Sequence, residues 1–94
     1  MTLDELKAVA DESKLSLPLQ ALRAEASGEW ERAHTLCQQA ADRDGDWVHA
    51  YLHRVEGDVG NAGYWYGRAG KKAPAAGVSL EAERAALIAA LSAK

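Results

Sequence analysis

The sequence predicts an all-α protein of about six helices, and three observations support this. Apolar residues recur three and four positions apart through most of the 94 residues, which is the period of an amphipathic helix. Serine, threonine and aspartate stand in front of these stretches, where helix N-caps are expected. No stretch has the alternating pattern of a strand. We therefore expect one helical domain over residues 1–94.

The first two helices are predicted from their N-terminal signals. Thr2 and Glu5 have the spacing of a capping box, so a first helix is expected over residues 3–13. Its apolar residues lie on one side, and it is expected to act as an amphipathic cover. Ser16 is a suitable cap for the second helix, and Pro18 is tolerated in the first turn, where its missing amide would have been unpaired.

The middle of the chain contains two further helices. Gly28 separates the second helix from a third, which is expected over residues 29–42. Residues 42–46 are of turn-forming types and are predicted to end this helix. Asp46 is expected to cap the fourth helix, over residues 47–56.

The remaining helices are a fifth and a last one. Asp58 or Asn61 opens the fifth helix, and residues 71–77, which contain a proline and a glycine, end it. Ser79 is expected to cap the last helix, over residues 79–93. One side of the last helix is apolar and the charged side is expected to face water. The apolar residues are Leu80, Leu87, Ile88 and Leu91, and the charged ones are Glu81, Glu83 and Arg84.

Composition and charge exclude several classes of protein. Fourteen acidic and eleven basic residues give a net charge of −3, so the basic surface of a nucleic-acid-binding protein is missing. No apolar run reaches the roughly 18–20 residues of a membrane span, and the N-terminus does not resemble a signal peptide. The single Cys37 cannot form an internal disulfide. We expect a soluble, cytoplasmic protein that binds neither nucleic acid nor membrane.

An internal repeat is the most informative pattern in the chain. Two stretches superpose without gaps at an offset of 29 residues, from Gly28 to Gly57. In each, a glycine is followed by an alanine, a larger residue and a second alanine at the same spacing. Glycine permits a tight turn between helices, and alanines let two helix axes approach closely. The alanines and larger residues are Ala33, Cys37 and Ala40 in the first copy and Ala62, Tyr66 and Ala69 in the second.

This pattern resembles the tetratricopeptide and Sel-like repeat superfamily, whose second helix opens with glycine, acid and aromatic residues and closes with proline. Glu29 and Trp30 supply that opening in the first copy, and Pro74 closes the second. The resemblance covers residues 15–76. It implies two antiparallel helix pairs, flanked by the N-terminal cover and a C-terminal capping helix over residues 79–93. Residues 47–70 are also similar to a WVHAYLHR-x-EGD block found in uncharacterised bacterial proteins.

The superfamily resemblance also implies a partner-binding face. First-helix side chains of such repeats line a concave surface, and aromatic residues with arginine are favoured at interfaces. The alternative is that the aromatic residues belong to the core. The positions expected to contact a protein or peptide partner are Trp47, Tyr51, Arg54, Leu22 and Glu25.

Histidines suggest a possible metal site. His49 and His53 stand four residues apart on the fourth helix and Glu56 follows three residues later, which places three candidate ligands on one face. His34 and Cys37 form a second pair, so a zinc site that draws on both helices is conceivable. The alternative is that the histidines lie at the surface or form ordinary hydrogen bonds.

Basic residues at the end of the second helix pair are candidates for binding an anion. They could bind a phosphate or an acidic peptide. The alternative is a solvated positive rim that balances the acidic N-terminal half. The candidates are Arg54, Arg68, Lys71 and Lys72, with Tyr64 nearby.

The fifth helix contains an unusual run of glycines. Each interior glycine costs about 1 kcal/mol of helix propensity relative to alanine, so close approach by another backbone would explain them. The last helix or a second copy of the chain could approach there. The alternative is that Trp65 and Tyr66 hold the helix and the glycines have no packing role. The glycines are Gly60, Gly63, Gly67 and Gly70.

No catalytic motif is present, and no cofactor is expected. Cys37 on an alanine-rich face is typical of a small buried residue rather than a nucleophile. The sequence therefore favours a non-catalytic protein–protein interaction or assembly module, with a homodimer as one form. The alternative function is a small-ligand or metal-binding protein that uses the His49, His53 and Glu56 face together with Arg54 and Arg68.

Overall fold

The protein consists of six α-helices and one 3₁₀ turn, in a computed structural model that describes residues 1–94. This confirms the predicted all-α class and the number of helices. None of these helices is both long enough and apolar enough to cross a membrane. The helices are α1 (Leu3–Ala8), α2 (Leu17–Ala26), α3 (Trp30–Ala40), α4 (Arg43–Val55), α5 (Val59–Ala69) and α6 (Leu80–Ser92), and the 3₁₀ turn is Glu12–Lys14.

Side-chain caps begin most of the helices. Thr2 and Glu5 form the predicted capping box at α1. Ser16 accepts a hydrogen bond from a backbone amide at the start of α2, and Ser79 does the same at α6. Of the two candidates for α5, Asp58 is the cap, since its carboxylate accepts from the Asn61 amide at 3.2 Å.

The predicted length of the first helix was wrong. Helix α1 ends at Ala8, because Val9 adopts an extended conformation with φ −64° and ψ 119°. Asp11 then accepts hydrogen bonds from both the amide and the hydroxyl of Ser13, which starts a separate 3₁₀ turn. This local side-chain bonding competes with continuation of the helix.

The predicted start of the fourth helix was also wrong. Ala41 adopts the left-handed conformation, with φ 50°, and ends α3. Asp42, rather than Asp46, caps α4, and its carboxylate accepts from the Gly45 amide at 2.7 Å. Residues 43–46, expected in a break, therefore form the first turn of α4. The two aspartates of this turn, Asp44 and Asp46, and the cap Asp42 suit that end of a helix, because the exposed amides carry partial positive charge.

The helices pack as two consecutive pairs with a shared cover. Helix α2 packs against α3, α4 packs against α5, and α3 contacts α4 between the pairs. Helix α6 lies against α2 and α4, and the short α1 touches both α2 and α6. Gly28 and Gly57, the first residues of the two repeat copies, have φ of +81° and +86° and follow the first helix of each pair. Their left-handed conformation explains the choice of glycine.

One main core joins α1, α2, α3, α4 and α6. A smaller cluster of Ala50, Ala62 and Tyr66 lies between α4 and α5. Trp47 packs against both clusters. The largest fully buried side chains of the main core are Leu6, Leu22, Val48, Tyr51, Leu52, Leu87 and Ile88.

The glycines of α5 do not serve close packing within the chain. A Cβ built at Gly60, Gly63 or Gly67 would meet nothing within 4 Å. Helix α6 covers α2 and α4 instead, so the expectation that it approaches these glycines was wrong. Close packing requires a glycine at Gly45, where a Cβ would lie 2.7 Å from the Ala40 Cβ. Gly45 therefore allows the close approach of α3 and α4.

This contrast predicts opposite effects for two alanine substitutions. Gly45→Ala should lower the free energy of unfolding by about 1–3 kcal/mol, because the new methyl group overpacks the α3–α4 contact. Gly63→Ala should raise it by up to about 1 kcal/mol, because an exposed helix position gains propensity. Urea unfolding followed by tryptophan fluorescence measures both. Equal stability of Gly45→Ala and the unmodified protein would mean that α3 and α4 have room to separate.

Candidate functional site

The face predicted to bind a partner lies beneath α6. Leu22 and Tyr51 are 0% and 1% exposed, and they share the main core with Leu87 and Ile88 of α6. Trp47 is half-buried at the junction of the two core clusters. Helices α2 and α4 contact each other, and α6 covers the surface between them. We call this surface the α2–α4 groove.

Arg54 and Glu83 form the first polar contact between the groove and α6. The Arg54 guanidinium lies 2.9 Å from the Glu83 carboxylate, which is only 6% exposed, and it also donates to the Val78 carbonyl. The Tyr66 hydroxyl donates to the second oxygen of Glu83. Burial, followed by this hydrogen bond, raises the pKa of Tyr66, so the hydroxyl remains a donor. The expectation that Glu83 faces water was therefore wrong.

Glu25 and Arg84 form the second polar contact. Glu25, predicted to contact a partner, accepts from the Tyr51 hydroxyl at 2.7 Å and from Arg84 at 3.3 Å. Burial, together with the bond to Glu25, raises the pKa of Tyr51. Arg84 is only partly exposed and points toward α2, so its predicted position in water was also wrong.

The candidate anion-binding residues have separate partners in the structure. Arg54 belongs to the α6 contact described above. Arg68 lies 3.6 Å from the Asp46 carboxylate and donates to the Tyr64 hydroxyl at 3.3 Å. Lys71 is placed 4.3 Å above the centre of the Trp47 ring, and Lys72 is exposed. The structure does not bring these cations together on one anion.

The histidines do come together. The three histidines of the chain all lie where α3 meets α4, and we call His34, His49 and His53 the histidine seam. The rings of His49 and His53 stack with centroids 4.8 Å apart, and the His34 ring lies 4.5 Å from His49. One ring nitrogen from each histidine lies within 4.8 Å of the others.

Two tryptophans hold the outer faces of the seam. The Trp30 ring stacks on His34 at 5.0 Å, and its Nε1 donates to the Leu52 carbonyl at 2.8 Å. The Trp65 ring stacks on His49 at 3.8 Å with an interplanar angle of 15°. A cavity of about 230 Å³ opens beside His49 and Trp65, and Arg68 contributes to its wall. The indole rings therefore orient two imidazoles, and the cavity gives solvent a route to one of them.

Burial disfavours the charged forms of two of these histidines, His34 and His49. It lowers the pKa of His49 to about 4, and repulsion from the other two histidines and Arg68 acts in the same direction. The pKa of His34 is lowered, first by burial and then by His53. Neutral imidazole has a free lone pair on one ring nitrogen, which is the form that accepts hydrogen bonds or binds metal.

His53 has a polar partner on each side of its ring. Its Nδ1 lies 2.6 Å from the Glu56 carboxylate, and its Nε2 lies 3.3 Å from the Asn61 amide nitrogen. A carboxylate only accepts, so Nδ1 carries the proton and Nε2 accepts from Asn61. Asn61 was expected only as a helix cap, and no local pattern predicts that its amide faces a histidine of the preceding helix.

The histidine grouping differs from the predicted ligand set. His49 and His53 were expected to act with Glu56, but His34 completes the histidine group and Glu56 lies with His53 and Asp58 instead. Cys37 does not join either group. Its buried thiol has a pKa raised to about 12, first by burial and then by nearby aspartates, so it stays protonated and unreactive.

Comparisons with protein-family models, curated proteins and solved structures find no match for this chain. The chain's family is not assigned. The tetratricopeptide resemblance and the similarity to the bacterial block therefore stay predictions.

The low pKa of His49 predicts a loss of stability in mild acid. The unfolded chain takes up a proton near pH 6.5 and the folded chain only near pH 4, so the unfolding free energy is highest above pH 6.5 and falls as the pH drops toward 4. The loss assigned to this residue should be on the order of 2 kcal/mol.

The matched variant is His49→Phe, which keeps an aromatic ring against Trp65 but cannot titrate. Urea unfolding of both proteins between pH 7 and pH 4, with a chelator present, measures the difference. The unmodified protein should lose more stability over this range than the variant. Parallel pH profiles would show that His49 is protonated as easily in the folded state as in the unfolded state.

Proposed function

We propose that the protein is a non-catalytic helix-binding module and that its α2–α4 groove receives an amphipathic helix from a partner. The observation that supports this is the position of α6, an amphipathic helix that lies on this face in the free chain. Recognition of a helix by its apolar side in a groove is a common mode of protein interaction. The proposed partner helix takes the place of α6.

The contacts of α6 define the helix that the groove prefers. Its apolar ridge is Leu87, Ile88 and Leu91, which are at most 5% exposed. One turn earlier, Glu83 meets Arg54 and Arg84 meets Glu25. A partner of this class carries an acidic and a basic residue in sequence, followed by apolar residues four, five and eight positions after the acid.

Two features of α6 are consistent with its release from the groove. Its outward face is lined by alanine, the residue with the highest helix propensity, so a helix can persist in part after undocking. Ten residues, 70–79, connect it to α5 and contain no helix. The outward alanines are Ala82, Ala85, Ala86, Ala89 and Ala90.

The connection between α5 and α6 determines how strongly α6 competes with a partner helix for the groove. A helix held by a short flexible connection has an effective concentration in the millimolar range, so a free partner competes poorly while α6 is docked. Binding by a partner therefore requires that α6 is weakened or that the partner makes additional contacts. The groove is therefore expected to bind only when one of these two conditions is met.

Binding of the isolated α6 sequence in trans tests the proposal. A fluorescent peptide of residues 79–93 should bind the Leu87→Ala/Leu91→Ala variant with a Kd of about 10 μM, because the groove is intact and its own helix is weakened. The unmodified chain should bind the peptide at least about tenfold more weakly. Fluorescence anisotropy measures binding, and circular dichroism checks that each variant is folded.

Two controls distinguish binding in the groove from nonspecific binding. A peptide with Glu83→Lys should lose binding, since its charge repels Arg54. Where the double variant does not fold, Leu91→Ala alone replaces it. A folded variant that fails to bind the unaltered peptide would identify α6 as a fixed core helix and would refute the proposal.

A further inference from the structure

Every histidine of the chain contributes to one cluster. The chain has three histidines among 94 residues, and they come from two helices in different pairs, His34 from α3 and His49 and His53 from α4. One turn of helix separates His49 from His53, which directs both rings toward α3. Packing alone does not call for three imidazoles at one point, since apolar residues fill such a seam without unpaired ring nitrogens.

The spacing of the ring nitrogens is close to that of a metal site. Zinc–nitrogen bonds of about 2.0–2.1 Å place tetrahedral ligands roughly 3.3 Å from one another. The three nitrogens of the seam lie within 4.8 Å of one another, so the rings have to approach by at most about 1.5 Å to hold one ion. We propose that His34, His49 and His53 bind one divalent zinc ion, with the fourth position left to water or to an exogenous ligand.

Glu56 and Asn61 complete the surroundings of this site. Metal-binding histidines usually donate their other ring N–H to a carboxylate, which fixes the tautomer and makes the ligand more basic. Glu56 has this position at Nδ1 of His53, at 2.6 Å. The other ring nitrogen, Nε2, carries no proton and accepts a hydrogen bond from the Asn61 amide at 3.3 Å. In the metal-bound protein, the ion replaces the Asn61 donor at Nε2.

The ligand set selects the class of metal. Three neutral imidazoles suit zinc, copper and nickel, whereas magnesium and calcium require oxygen ligands. The Trp30 and Trp65 rings shield the outer faces of His34 and His49. Because His34 belongs to α3 and the other two histidines to α4, a bound ion also joins the first helix pair to the second.

A second group of candidate ligands lies close by and has to be distinguished. His53, Glu56 and Asp58 also have ligand atoms within 4.8 Å of one another, but both carboxylates are exposed. Exposed acidic groups are common without a metal. This group shares His53 with the seam and lacks His34, so a substitution at His34 separates the two.

The test is a metal titration of the metal-free full chain. Zinc should bind with one-to-one stoichiometry and a Kd below about 1 μM in calorimetry, and it should raise the melting temperature. Cobalt, used as a spectroscopic substitute, should give the intense visible absorption of a four-coordinate ion. His34→Phe and His49→Phe keep the aromatic stacking, and each should weaken zinc binding by at least about 100-fold.

Three further variants locate the ion. Glu56→Gln should weaken zinc binding by about tenfold, as expected when a partner of a ligating histidine loses its charge. Asp58→Asn preserves the cap of α5 and should leave the affinity unchanged, as should Glu31→Gln on the exposed side of α3. Circular dichroism establishes that each variant is folded.

Two outcomes would overturn the proposal. One is the absence of saturable zinc binding below about 100 μM by the folded chain, which would make the seam a packing arrangement. The other is zinc binding that survives His34→Phe but not Asp58→Asn, which would place the ion at the exposed group. Neither result depends on α6, so this test is independent of the groove experiment.

Discussion

The carboxylate of Glu83 is the contact on which the arrangement of the last helix depends. It is almost fully buried and joins three helices, because Arg54 of α4 and Tyr66 of α5 both donate to it. A buried carboxylate is costly without such partners, and removal of one partner leaves part of this cost uncompensated. A shift of α6 by one turn would put either Glu83 and Arg84 or Leu91 and Ser92 where Leu87 and Ile88 now lie. The apolar residues of α6 and the contact between Glu83 and Arg54 therefore fix the same register.

The sequence predicted most of the fold because the helix starts are encoded locally. Thr2, Ser16 and Ser79 each cap a helix as expected, since capping depends on a few adjacent residues. The two wrong boundaries arose where the side chain of an aspartate accepts a hydrogen bond from a nearby backbone amide. Asp11 caps a 3₁₀ turn inside the predicted first helix, and Asp42 caps α4 in place of Asp46.

The sites were harder to predict, because they depend on which helices meet. Periodicity placed His49 and His53 on one face, but only the α3–α4 crossing, which Gly45 permits, adds His34. Glu83 was expected in water because a charged residue is usually exposed. Its burial depends on Arg54 and Tyr66, which are 29 and 17 residues away in sequence. Local sequence patterns do not predict contacts between residues so far apart. Leu22 and Tyr51, expected to contact a partner, instead share the main core with α6, a helix that was not foreseen at this position.

Helix α5 has a dynamic consequence that follows from its glycines. With Gly60, Gly63 and Gly67 on an open surface, its backbone is held mainly by the contacts of Ala62, Trp65 and Tyr66 with α4. Low intrinsic propensity and few buried side chains are the features of segments that open first in native-state hydrogen exchange. Because Trp65 lies flat on His49, each local opening of α5 also uncovers the seam. The cavity beside His49 already gives solvent a route to the seam, whereas access to the part that Trp65 covers depends on transient unfolding of one glycine-rich helix.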